Sequence, residues 1–306
     1  MPRINYSLDK IPPGRKKGVL KERTRGPKAR RYDDRCESVR GQIELISPKF
    51  WEELAANEYH KQRRRRYRWT FDQNGLTSCA PESAYGGKGA CDTRQGLPMV
   101  FTNPLFAFFT TSGGRDNGSV IGDNVEHLRD YGACPEEVWP RSKGFRAEPS
   151  SQAYKIAAFF KLKEFFYIET IDEFVSALLQ GYDIHAGYDG HAVIFDRYLG
   201  GQKVEFKNSW GAWGDDGFGP LPLSKIYFPY GAYAYKLVVP YATPAADRGW
   251  DWLSPWQPKY DQAKLAEAVR IYNKVTMAKT ARWLNSNANW REDTYAQALE
   301  SCGLAI

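Results

Sequence analysis

The spacing of apolar residues predicts helices in the first half of the chain's central region and strands in the second half. A helix is predicted over residues 119–131, where apolar side chains recur every three or four positions and Gly132 follows as a stop. Another is predicted over residues 170–180, behind Thr170 as its N-terminal cap. Four later segments, rich in β-branched and aromatic residues and separated by glycines, are predicted strands: YDIHAGY, HAVIFDRYL, KVEFKNSW and AYKLVVPY. Helices that precede strands indicate an α+β body with a helical half and a sheet half.

Composition divides the chain into four regions. Residues 1–70 hold 20 Lys and Arg against 9 Asp and Glu, whereas the rest of the chain holds 23 against 27. The positive charge therefore belongs to the N-terminal part of the chain and not to its body. The predicted regions are a basic, extended arm (1–45), a helical segment opened by Ser47 and Pro48 (46–68), an α+β body (69–240) and a Trp-rich linker with a helical tail (241–306).

The basic run from Arg63 to Arg68 closes the helical segment, where cations offset the negative end of a helix. We interpret it as a solvated helix face. Binding of nucleic acid or another polyanion is the alternative, and it is not favoured because no recognised nucleic-acid fold accompanies the charge.

Composition also excludes several classes of protein. With 42% apolar residues and 45 aromatic side chains, the chain can fill a core and is not a disordered protein. No apolar stretch approaches the roughly 18 residues that span a bilayer. The charged start lacks the apolar stretch of a secretory signal. We therefore expect a protein of the cytoplasm, or alternatively of a virus particle, with no membrane partner.

The cysteines and histidines show no pattern of metal ligands. No two of them have the paired spacing of a zinc site, and no glycine-rich phosphate loop follows a predicted strand. The sequence therefore predicts neither a metal nor a cofactor. Four of the five cysteines are predicted to be structural thiols: Cys36, Cys91, Cys134 and Cys302.

The fifth cysteine, Cys79, lies in a segment with the features of a helix N-terminus. In DQNGLTSCAPESAYGG, Ser78 can cap a helix whose first turn contains Pro81. A helix N-terminus and a neighbouring imidazolium lower the pKa of a thiol from about 8.5 to ~3–4, which produces a nucleophile. Gln73 lies six residues before Cys79, where its side-chain amide can point at the same oxyanion as the Cys79 N–H. Cys79 is the candidate nucleophile and Gln73 the candidate oxyanion donor.

Two further segments supply a base and a group to orient it. His191 heads the apolar strand of GHAVIFDRY, and Asn208 ends the next strand, KVEFKN. Because these strands are joined through Gly200 and Gly201, His191 and Asn208 are predicted to meet at one end of a sheet. An Asn carbonyl there accepts the imidazole N–H and fixes the ring, and Trp210 shields that bond from water.

Together these segments resemble the papain family of cysteine peptidases. The family's pattern is Gln, five residues, Cys, then a distant His-Ala, then Asn-Ser-Trp-Gly. Between these motifs, NPLFAFF and HLRDYGACPEEVWP are similar to the stretch that joins the two halves in prokaryotic-type members. The order and separations agree over about residues 69–240. The pattern stands here as Gln73 to Cys79, His191-Ala192 and Asn208-Ser209-Trp210-Gly211.

The resemblance implies a two-lobed α+β fold, with the nucleophile on a helix of one lobe and His and Asn on the β-sheet or barrel lobe. It implies a cysteine endopeptidase that forms an acyl-enzyme on peptide or protein substrates. The implied roles are Cys79 as nucleophile, His191 as base and later acid, Asn208 as orienter, Gln73 as oxyanion donor, and Gly118 with Trp210 on the substrate-binding side.

Two features weaken or compete with this assignment. Three glycines follow Cys79 closely, so the central helix is expected to be short or broken. Of the other histidines, His185 is assigned to the preceding strand as a weak competing base, and His60 and His127 are assigned to the surface.

Three alternatives stay open. A papain-fold structural or binding protein, for example a virion component with weak or vestigial catalysis, would attach to an assembly through its basic arm and its tail. Residues 1–60 are alternatively an inhibitory pro-region, cleaved or lying over the cleft. A transglutaminase or acyltransferase is less favoured, because its triad has an acid where Asn208 stands.

Overall fold

The computed structural model describes residues 11–21, 37–38, 45–56, 63–67, 70–97 and 100–239. The predicted linker and tail, with Cys36, Cys302 and His60, lie outside these residues. Six α-helices form in the described part: α1 (Trp51–Ala55), α2 (Cys79–Arg94), α3 (Pro104–Ser112), α4 (Ile121–Asp130), α5 (Ser151–Ala157) and α6 (Ile171–Leu179).

Local sequence explains where three of these helices begin. Asn103 caps α3 through a hydrogen bond from the Leu105 N–H, and Ser150 caps α5 in the same way. Thr170 and Glu173 form a capping box at the start of α6. The predicted helices over 119–131 and 170–180 are therefore found as α4 and α6.

Nine strands form in the described residues, and seven of them make one sheet in the order β2-β4-β9-β5-β6-β7-β8. Its pairs are antiparallel except for β2 with β4. The two remaining strands, β1 and β3, pair with each other in parallel. The strands are β1 (Val19–Leu20), β2 (Glu37–Ser38), β3 (Ser119–Val120), β4 (Leu162–Tyr167), β5 (Asp183–Tyr188), β6 (His191–Gly200), β7 (Lys203–Lys207), β8 (Phe218–Pro222) and β9 (Ala232–Val238).

The helices and the sheet enclose two apolar cores. One core combines side chains of α2 to α5 with β4 and β9, and the other combines α1 and α6 with β5 to β8. Helix α2 lies against β5, β6 and β9. The α+β fold class, with a helical half and a sheet half, is confirmed.

Helix α2 runs unbroken for 16 residues, so the expectation of a short or broken helix is wrong. The reason lies in packing. A Cβ on Gly87 would lie 2.4 Å from Cδ1 of Ile194 on β6 and 3.1 Å from Cε2 of Tyr235 on β9. Glycine lowers helix propensity, but here it lets the helix approach the sheet closely, and the packing outweighs the propensity.

The described part of the helical segment holds a 3₁₀ turn at Pro48–Phe50, then α1, then a second 3₁₀ turn at Arg63–Arg66. The interpretation of the basic run as a solvated face is wrong for Arg66, which is 1% exposed and donates to Asp183 Oδ1 at 2.7 Å. Arg64 pairs with Glu205 and Asp215. Both cations are held by acidic side chains of the body.

The surface assignment of His127 is also wrong. The imidazole is 3% exposed and packs against the rings of Phe106 and Tyr131. Burial lowers its pKa to about 3, so the ring is neutral. Cys91 and Cys134 are buried thiols, as predicted. None of the helices in the described ranges has the length and apolarity to cross a membrane.

Candidate active site

Cys79 is the first residue of α2, and its side chain is fully buried. The preceding residue, Ser78, is the N-cap, but its side chain makes no capping hydrogen bond and instead donates to Glu82. Helix N-termini carry unpaired backbone N–H groups that favour negative charge. The thiol therefore lies where a thiolate is electrostatically supported.

His191 and Asn208 meet at one end of the sheet. His191 is the first residue of β6 and Asn208 follows the last residue of β7, and these antiparallel neighbours bring the two side chains together. His191 Nε2 and Asn208 Oδ1 are 2.7 Å apart. The ring of Trp210 stacks on the imidazole with centroids 4.4 Å apart and planes 28° from parallel, so this hydrogen bond is buried beneath it.

The partner of Nε2 fixes the state of the ring. Because an amide oxygen only accepts, Nε2 carries the proton and Nδ1 carries the lone pair. Within the described residues Nδ1 is buried and makes no hydrogen bond. His191 thus has an unused basic nitrogen at the site.

Ser209, to which the sequence analysis gave no role, aligns the side chain of Gln73. Gln73 Oε1 accepts a hydrogen bond from Ser209 Oγ at 2.9 Å, and the Gln73 backbone N–H donates to Ser209 O at 3.0 Å. The Nε2 end is therefore the end presented to the site, where it donates to Lys16 O at 2.9 Å and to Leu76 O at 2.5 Å.

The N-terminal arm contributes residues 11–21, here called the cleft segment, to this site. Gly18 lies beside Cys79: its backbone N–H lowers the pKa of the Cys79 thiol, and its carbonyl accepts from the Ser119 N–H at 3.0 Å. The Val19 N–H donates to Gly190 O at 3.0 Å, next to His191. Together with the bond from Gln73 to Lys16, these contacts run the cleft segment past Gln73, Cys79 and the residue before His191.

Two glycines allow this close approach. A Cβ on Gly18 would lie 2.0 Å from Thr77 O, and a Cβ on Gly118 would lie 2.0 Å from Gly18 O. Gly118 also has a φ of +80°, which disfavours a side chain independently. Gly118 therefore borders the cleft segment. Strand β3, which follows Gly118, pairs with β1, which belongs to the cleft segment.

Three consecutive basic residues hold the cleft segment on the body. Each of them pairs with an aspartate from a different loop around the site. The pairs are Arg15 with Asp72, Lys16 with Asp116 and Lys17 with Asp189.

Burial opposes charge at the site. Burial raises the pKa of Cys79 to about 11, although N–H groups of Ala192, Gly18 and Ala80 act in the opposite direction. Burial lowers the pKa of His191 to about 4, against the bond to Asn208 and together with the charge of Lys17. The covered site holds a neutral thiol and a neutral imidazole.

The described contacts link the six sequence-predicted site residues, either directly or through residues one or two positions away in sequence: Gln73, Cys79, Gly118, His191, Asn208 and Trp210. His185, the competing base, lies instead within β5, bonded to Tyr235 OH at 3.1 Å, and burial lowers its pKa to about 3. Sequence reasoning missed the contacts of Ser209 and Asp116. It left open that residues 1–60 lie over the cleft, but apart from the basic run RKKG no signal singled out residues 11–21 or their contacts.

No family model matches the chain, and no curated protein matches it. Among solved structures, it is similar to xylellain, a cysteine protease from Xylella fastidiosa, at 20% identity over 64% of this chain and 85% of that one, with a TM-score of 0.49. It is also similar to the ragweed pollen allergen Amb a 11 in its proform (14% identity, 65% and 72% covered, TM-score 0.47). A third is digestive procathepsin L 3 of Tenebrio molitor larval midgut (15% identity, 71% and 82% covered, TM-score 0.44).

These likenesses concern the fold alone. The architecture of the described residues agrees with the papain-like two-lobed α+β fold that the sequence implied: a helical half whose long helix begins at Cys79 faces a mainly antiparallel sheet that carries His191 and Asn208 at one end.

Proposed function

We propose that the chain is a cysteine endopeptidase with Cys79, His191 and Asn208 as its triad. The observation that carries the proposal is the buried bond between His191 Nε2 and Asn208 Oδ1, which leaves the other ring nitrogen basic. A neutral amide that fixes an imidazole serves thiol chemistry, where the charged pair is formed by Cys and His themselves.

The reaction follows from these groups. The Cys79 thiol gives its proton to His191 Nδ1, and the thiolate attacks a peptide carbonyl carbon. Gln73 Nε2 and the Cys79 N–H then hold the oxyanion. His191 returns the proton to the leaving amine, and a thioester remains on the sulfur. Water, deprotonated by His191, hydrolyses the thioester and releases the acid and the thiol.

The same proposal assigns an inhibitory role to the cleft segment. Its backbone occupies the amide of Gln73 and lies beside Cys79, and Gly18 fits against Thr77 with no room for a side chain. A substrate needs those same groups. The full chain is therefore proposed to be a restrained peptidase, and displacement of the cleft segment starts activity.

The test labels full-length protein with an epoxide inhibitor of papain-type peptidases and maps the adduct by mass spectrometry. In the natural chain we expect slow labelling at Cys79. In the Cys79→Ala variant we expect no labelling of the remaining cysteines. A Gly18→Ala variant is expected to label at least tenfold faster, since its Cβ meets the Thr77 carbonyl and dislodges the cleft segment.

The matched control is Gly14→Asn, in the same segment. Its Cβ meets no atom within 4 Å, and Asn tolerates the left-handed backbone at this position. We expect this variant to label at the rate of the natural chain. If Gly18→Ala is alkylated at Cys79 by iodoacetamide, which shows an open site, yet gives no epoxide adduct, the peptidase proposal fails and a structural role is favoured.

A further inference from the structure

Lys16 makes two contacts at the site, one through its backbone and one through its side chain. Its carbonyl oxygen accepts from Gln73 Nε2 at 2.9 Å, on the donor assigned to the oxyanion. Its ammonium lies 3.0 Å from Asp116 Oδ2. A residue whose carbonyl is bound by Gln73 therefore has its side chain within reach of Asp116.

Asp116 is a built part of the site wall and not a freely moving surface acid. Its Oδ1 accepts from the N–H and the hydroxyl of Thr77, at 2.7 and 2.6 Å, two residues before the nucleophile. The Thr77 hydroxyl in turn accepts from the Gly118 N–H at 2.8 Å. One carboxylate oxygen is thus fixed to the loop before Cys79, and the other, Oδ2, faces the cation.

The charge of Asp116 persists through neutral and mildly acid solution. Burial alone would raise its pKa, but hydrogen bonds from Thr77 and Lys16 outweigh burial and keep the pKa below its usual 3.8. Asp116 is an anion when substrate binds, whether or not Lys16 is present, since the bonds from Thr77 belong to the body.

We propose that Asp116 selects substrates in which the residue that supplies the cleaved carbonyl is Lys or Arg. The inference rests on the proposed peptidase function and deepens it. In this view Lys16 occupies the subsite for that residue when the chain is closed. After the cleft segment leaves, the carboxylate binds the basic side chain of the substrate.

The other two aspartates differ from Asp116 in position. Asp72 binds Arg15 and Asp189 binds Lys17, and in the described hydrogen bonds neither Arg15 nor Lys17 contacts Gln73. Asp189 is more than half exposed and follows β5, in a left-handed conformation that Asn also adopts readily. Asp189→Asn is therefore the matched control for Asp116→Asn, because it also removes one carboxylate charge that pairs with the cleft segment.

The experiment uses full-length Gly18→Ala protein, with an open site verified by iodoacetamide alkylation of Cys79. Its rate of labelling is measured with peptidyl acyloxymethyl ketones that differ only in the residue before the reactive carbon: Lys, Arg, norleucine or Glu. Norleucine retains the length of Lys without its charge. We expect Lys and Arg probes to react roughly tenfold faster than norleucine, and Glu slowest, as for a charge-assisted contact that is partly exposed.

Asp116→Asn in the same background keeps an oxygen that accepts from Thr77 and removes the charge. We expect the Lys-to-norleucine ratio to fall to about one in this variant and to stay unchanged in Asp189→Asn. Equal rates with Lys and norleucine before any change at 116 overturn the inference and leave the peptidase proposal standing. A Lys preference that survives in Asp116→Asn also overturns it. No labelling by any probe overturns the proposed function, and the inference with it.

Discussion

A side-chain amide can present either its oxygen or its nitrogen to a cleft, and Ser209 decides which end of Gln73 faces the site. The Ser209 hydroxyl donates to Gln73 Oε1, so only the NH₂ end remains for a substrate carbonyl. Ser209 contacts neither Cys79 nor His191 through its side chain in the described hydrogen bonds. It therefore positions Gln73, the proposed oxyanion donor.

We expect Ser209→Ala in the Gly18→Ala background to lower kcat about tenfold, with KM nearly unchanged, because Gln73 then samples both orientations. Gln73→Ala is expected to lower kcat by ~100- to 1,000-fold. Steady-state kinetics on a fluorogenic peptide measure kcat and KM for each variant. When Ser209→Ala is combined with Gln73→Ala, kcat should fall no further than in Gln73→Ala alone. An additive loss would show that Ser209 acts independently of Gln73.

At the scale of elements, α2 joins the two halves of the molecule. It carries Cys79, the proposed nucleophile, at its first residue and lies against three strands, including the one headed by His191. Neighbouring glycines of this helix have opposite surroundings. Gly87 faces Ile194 at a distance too short for a Cβ, whereas a Cβ on Gly86 would meet only Phe71, at 3.8 Å.

These surroundings predict opposite effects of one substitution. Gly86→Ala should stabilise the chain by about 0.5–1 kcal/mol, through lower entropy of the unfolded chain at an uncrowded helical position. Gly87→Ala should destabilise it by about 1–3 kcal/mol, because the added methyl overpacks the contact with the sheet. Urea unfolding of both variants measures the difference. A gain in stability at both positions would contradict the close approach of α2 to β6.

Elements with a strong local pattern were predictable, and contacts between distant segments were not. The hairpin of β6 and β7 follows from two apolar runs and a glycine turn, which is why His191 and Asn208 could be paired before the structure was known. The continuity of α2 depends on Ile194, more than a hundred residues away, so propensity alone gave the wrong answer. The path of the cleft segment has no periodicity to reveal it, because its contacts are backbone bonds and ion pairs.

At the scale of the whole molecule, the closed chain keeps its reactive pair uncharged over a wide pH range. The pKa of His191 is lowered to about 4 and that of Cys79 raised to about 11. Between these values the imidazole is neutral, with its single proton on Nε2, and the thiol keeps its proton. Lys17, from the cleft segment, adds to the penalty on the imidazolium.

The pH profile of Cys79 alkylation should therefore change shape when the cleft segment is displaced. In the natural chain we expect the iodoacetamide rate to rise with pH up to about 11, since a raised thiol pKa delays the thiolate. In Gly18→Ala, a thiolate–imidazolium pair should give a plateau through neutral pH. Rates measured from pH 5 to 11 by mass spectrometry decide this, and profiles of identical shape would contradict a link between the segment and the ionisation of the pair.

The cover that the cleft segment places over Gln73 and Cys79 has a consequence for how activity would develop in time. Because that cover occupies the site, a closed molecule cannot bind the cleft segment of a second molecule. Cutting between molecules would therefore begin only with molecules that are already open. Release by this route would be bimolecular and self-accelerating, with a lag that shortens as the protein concentration rises and that a trace of opened protein abolishes.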